Sequence, residues 1–122
     1  MDWVATAQFL AWVGVTITGG IALICLPNPA RGLVLLTHRM EQLPQVMLDR
    51  YIAFFGFSLF VAFYGDLTVL AAWAAVLAFM AFADTVIYAR IGHPFGKHLS
   101  AGIGALVVLS VALIALISNG AA

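Results

Sequence analysis

Charge is what this sequence has least of: five Lys or Arg and five Asp or Glu make up 8% of the chain, against about 25% in soluble domains. The two signs cancel, so there is neither a basic surface for nucleic acid nor an acidic tail. Cysteine is nearly absent too. Cys25 stands alone, which excludes an intramolecular disulfide and a metal cage of cysteines. Ile24 precedes it where a lipid-modified cysteine needs a small residue. The three histidines, His38, His93 and His98, form no i, i+4 pair and no finger spacing, so no metal is expected. They fall at the edges of apolar runs, whereas a membrane haem needs two of them deep in facing helices. Phosphate loops, nucleophile elbows and dinucleotide fingerprints are missing; "GIG" at 102–104 lies inside an apolar run. The sequence names no cofactor. "MDWVATAQFL" carries an acid where a signal peptide needs a positive region, so the first segment is expected to remain as a mature helix.

What is present is hydrocarbon, 65% of the chain. Four runs have the length that crosses a core of about 30 Å: residues 3–25, 46–64, 67–91 and 99–118. "YGDLT" and "GHPFGKH" are short enough to close antiparallel hairpins. Between the first two runs, "LPNPARGLVLLTHRMEQLP" breaks the helix and then places Leu33, Leu36, Met40 and Leu43 at helical spacing, as an interfacial segment would. The expected fold is an all-α integral membrane protein, a single domain over 1–122 built as an antiparallel bundle of four transmembrane helices. Arg31, Arg39, Arg50, Arg90 and Lys97 all fall in or beside the first and third loops. The positive-inside rule then puts those loops in the cytoplasm and both termini outside.

Small residues share a face in three of the runs: Ala7, Ala11, Gly14, Thr18, Ala22 and Cys25; Ala71, Ala74, Ala75, Ala78 and Thr85; Ala101, Gly104, Ala105, Ala112 and Ala115. Such faces let backbones approach closely in lipid, and they serve equally for packing within the bundle or against another membrane subunit. The phenylalanines of "YIAFFGFSLFVAFY" fall on all sides of the second run and read as lipid-facing filler, with Gly56 permitting one close approach.

Asp84 is the residue that hydrocarbon does not explain. Arg50 stands sixteen residues before Asp66 and Asp84 eighteen after it, which puts both about 24–27 Å from the hairpin turn. Charges at that depth face the bundle and find partners, so Arg50 and Asp84 are expected to pair. The pair reads as a register-fixing contact, or as a proton site or head-group anchor, and Arg50 can also snorkel to lipid phosphates. Tyr88 lies one turn beyond Asp84, and His98 opens the fourth run. Together they make candidate acid/base groups, Asp84, Tyr88 and His98, with Arg50 and Asp84 as binding candidates. The bland reading has Tyr88 in an aromatic belt with Trp3, Trp12 and Tyr51, and His98 capping a loop.

The segments "GGIALICLPNPARG", "DRYIAFFG", "ADTVIYARIG" and "GKHLSAGIGAL" together resemble small four-helix bacterial membrane families of unknown function, DoxX-like in pattern. The resemblance implies an inner-membrane bundle with Arg50, Asp84, Gly92 and His98 at matching positions, and it brings no activity. Three functions stay open. The first is a non-catalytic accessory subunit of a larger membrane complex, favoured by the lack of any extramembrane domain. The second is an enzyme or binding protein for a lipophilic small molecule at Arg50, Asp84, Tyr88 and His98. The third is a small dimeric transporter by analogy of size with four-helix exporters, weakened because the first run has no ionisable residue after Asp2. Partners are membrane lipids and another membrane protein or a second copy.

Overall fold

The computed structural model describes residues 3–120, with side chains except at 4, 5, 7, 8, 11, 12, 14, 15, 119 and 120. The expected small-face residues Ala7, Ala11 and Gly14, and Trp12, therefore lie outside the described side chains, as Asp2 lies outside the described residues. The described residues form five α-helices: α1 (Trp3–Cys25), α2 (Pro29–Leu35), α3 (Leu43–Tyr64), α4 (Leu67–Arg90) and α5 (Gly96–Gly120). Among them, Met40–Tyr64, Leu67–Arg90 and Gly96–Ser118 are long and apolar enough to cross a membrane, which marks a membrane protein. The chain divides into two compact units, Met1–Arg50 and Tyr51–Ala122.

In the first unit, α1 and α2 meet where Gly32 is buried. A Cβ there would come within 2.7 Å of the Cys25 Cα, so only glycine allows the approach. Asn28 starts α2: its Oδ1 accepts the Arg31 N–H at 3.0 Å, and Pro29 follows in the first turn, where no backbone donor is needed. The helix ends two turns later in a Schellman motif, with the His38 N–H on the Leu33 carbonyl at 2.8 Å and the Thr37 N–H on Val34 at 3.0 Å. The left-handed position of that motif is Thr37, φ +63°, a strained place for a β-branched side chain. The expected run from Leu33 to Leu43 is thereby split into α2 and a 3-10 turn at Met40–Gln42.

In the second unit, the sequence of turns is set by the same capping chemistry. Gly65 (φ +72°) ends α3 with its N–H on the Val61 carbonyl at 3.2 Å, a single-bond left-handed cap. Asp66 then caps α4, its Oδ1 accepting the Thr68 and Val69 N–H groups at 2.8 and 2.9 Å. α4 and α5 pack along their length as a hairpin. The core is built of small side chains: Ala71, Ala74 and Ala78 on α4 and Ala112 on α5 are buried, with Val61 of α3. Gly102 lies under the Phe82 ring, where a Cβ would meet ring atoms at 2.9 Å. Close approach of this kind supplies the attraction that lipid cannot.

Within this unit Gly56 has open space where a Cβ would be. The aromatics of α3 form a chain of ring contacts: Tyr51 meets Phe54, Phe54 and Phe57 meet Trp73 of α4 at 5.8 and 4.8 Å, and Phe57, Phe60 and Tyr64 continue it. Tyr51 and Phe60 stand about half a turn apart around the helix, so these contacts wind about α3, and Tyr51, Phe57, Phe60 and Tyr64 stay exposed as Phe55 and Phe63 do. The Trp73 Nε1–H donates to the Ser58 hydroxyl at 2.9 Å, so the polar end of this contact is satisfied.

Candidate functional site

The end of the α4–α5 hairpin opposite Asp66 gathers most of the unit's ionisable side chains. Asp84 and Tyr88 stand one turn apart on α4, a spacing that places them on one side of the helix. α4 then ends in a Schellman motif at Gly92 (φ +71°): the Gly92 N–H reaches the Ala89 carbonyl at 3.2 Å and the His93 N–H reaches Tyr88 at 3.0 Å. That reversal turns His93 back onto the ring of Tyr88, edge to face at 6.5 Å. The loop ends at Gly96, and His98 enters in the first turn of α5.

His98 links the two helices. Its ring stacks on Tyr88 with centroids 4.8 Å apart and planes 9° from parallel. Its Nδ1 lies 3.5 Å from the Asp84 Oδ2. That separation is longer than a good hydrogen bond, so the contact is one of charge and orientation. The side chains are 34% exposed for His98 and 47% for Asp84, so neither is sealed in the core. An open groove of about 430 Å³ runs past Tyr88, His93, Pro94, Gly96, Lys97 and His98. Its lining contains no carboxylate; Asp84 meets His98 from one turn further along α4.

The structure thus brings together Asp84, Tyr88 and His98 of the expected cluster. Arg50 is the last residue of the first unit and is exposed; the cluster is built from the second unit alone. The carboxylate contact found within that unit is to His98. Sequence reasoning missed His93 and Lys97 as parts of one groove. The signal was available for His93: in "YARIGH" a glycine at the left-handed position implies that the next residue folds back over the tyrosine. Among the described residues, no three His, Cys, Asp or Glu side chains converge as a metal site would need.

No family model, curated protein or solved structure matches this chain, so the DoxX-like resemblance rests on its four short motifs.

Proposed function

We propose that this protein binds a membrane-dissolved small molecule, receiving its polar head in the groove between the α4 and α5 ends. The observation that carries the reading is the convergence of His93, Tyr88 and His98 on one open groove, with the Asp84 carboxylate 3.5 Å from His98. Polar groups held at the rim of a hydrocarbon region are costly, and a ligand head that uses them accounts for their presence. The frame of this reading is a four-span antiparallel bundle in a bacterial inner membrane, both termini outside, with the groove under the cytoplasmic third loop. The charge distribution supports that orientation, since the basic residues cluster in the first and third loops.

Native mass spectrometry of protein extracted gently from its own membranes tests it. The wild type is expected to carry a reproducible bound mass that His98→Gln loses while staying folded. The same bound mass on wild type and variant, or none on either, would reject a ligand site at His98. A second reading, an accessory subunit of a larger membrane complex, is supported by Ala101 and Gly104, small residues that α5 leaves uncovered. A defined larger complex in the same spectra would favour it. The corresponding small face of α4 is largely spent inside the protein, with Ala71, Ala74 and Ala78 buried and only Ala75 outward.

A further inference from the structure

A second cavity lies deeper in the same unit. It is an apolar groove of about 200 Å³ between α3, α4 and α5, lined by Val61, Leu70, Trp73, Leu77, Ala105 and Val108 among others. Its nearest polar pair, Ser58 and Trp73, is already hydrogen-bonded, so it offers hydrocarbon and an aromatic face.

The two grooves have no lining residue in common but lie along the same two helices. On α4, Leu77 lines the deep groove and Tyr88 the surface one; with Asp84 between them they lie within about 40° around the helix. On α5, Ala105 lines the deep groove and His98 the surface one, seven residues apart and within about 20°. The deep groove therefore lies directly below the polar one, about 10 Å away along α5 and about 16 Å along α4. Its volume is below the roughly 300–1,000 Å³ of ordinary ligand pockets, which suits one alkyl chain rather than a two-chain lipid or a fused ring.

The upper groove has a lysine beside two imidazoles. Lys97, His93 and His98 line it and no acid does. Lys97 and His98 occupy the first turn of α5, which holds no acidic residue. A helix N-terminus favours negative charge, so the Lys97 cation in that turn opposes the dipole unless an anion joins it. Building on the reading above, we infer that the ligand is a single-chain anionic amphiphile. Its head lies against Lys97, His93 and His98, and its chain runs down the shared face to Trp73.

Trp73 reports on the chain directly. The full chain with Trp3→Phe and Trp12→Phe keeps Trp73 as its only tryptophan. In phosphatidylcholine nanodiscs it is titrated with dibromostearate, brominated at mid-chain, and with the matching dibromostearyl alcohol. The acid should quench Trp73 saturably and bind about tenfold more tightly than the alcohol, the order expected of one charged contact. Lys97→Gln should close most of that gap, and Ala105→Phe, which fills the deep groove, should abolish the saturable quenching. Equal binding of acid and alcohol that still depends on His98 overturns the anionic head and leaves the ligand site standing. Saturable quenching that survives Ala105→Phe overturns the placement of the chain. Quenching that never saturates, and is indifferent to His98→Gln, overturns both this inference and the reading on which it rests.

Discussion

The two aspartates of α4 have opposite circumstances. Asp66 caps the helix, and two backbone N–H groups of its own first turn bind its carboxylate at 2.8 and 2.9 Å. Asp84 stands in the body of the same helix, where backbone donors are already used, and its contact is with a side chain of another helix at 3.5 Å. The first is explained by four consecutive residues; the second has no local reason to exist. Within an apolar helix, a carboxylate that local structure does not need points to something brought by tertiary structure or by a ligand.

The two ends should therefore respond differently to substitution. The largest effect is expected for His98→Ala, which should reduce ligand retention by about ten- to a hundredfold, as loss of a charge-assisted contact does. Retention measured by native mass spectrometry at matched protein levels checks it. No loss would place His98 with the loop-capping residues.

Gly65 and Gly92 offer a matched pair, at φ +72° and +71°. Alanine at either should cost about 1–2 kcal/mol, because each position is left-handed. Thermal unfolding in detergent should show similar losses. Only Gly92→Ala should also weaken ligand binding, since Gly92 turns His93 onto Tyr88. Equal effects on binding would dissolve the distinction between the ends.

Removing the Asp66 cap with alanine should cost about 1 kcal/mol and leave the ligand in place. Asp84→Asn should cost less, because its contact with His98 is long and both groups are partly exposed. The reverse order, measured in the same unfolding assay, would identify Asp84 as a structural pin, the role that a pairing with Arg50 would give it.

The smallest effect concerns the third left-handed position. Thr37→Gly should stabilise the first unit by about 0.5 kcal/mol, strain relief outweighing the entropy of glycine. A loss of stability would show that the Thr37 side chain is needed where it stands.

Much of the frame was legible because it depends on neighbours in the chain. The helical runs at 67–91 and 99–118 correspond to α4 and α5 within a few residues, and the Gly-Asp turn folds as its residue types dictate. Asn28 and Pro29 likewise start a helix after a break. The split at Thr37 was not legible, since a β-branched residue in the left-handed region runs against its own preference. Nor was the contact of Phe54 and Phe57 with Trp73 legible, since it depends on how α3 packs against α4.

The sequence by itself determined a helical membrane protein, its turns, and the rarity of Asp84. Those follow from the cost of exposing backbone or charge to hydrocarbon and from capping within four residues. Tertiary structure alone decided that Asp84 faces His98, that His98 stacks on Tyr88, and that the alanines of α4 are covered by the same unit. Those depend on the register between helices, which close packing around Gly102 and the buried alanines sets and no single segment encodes.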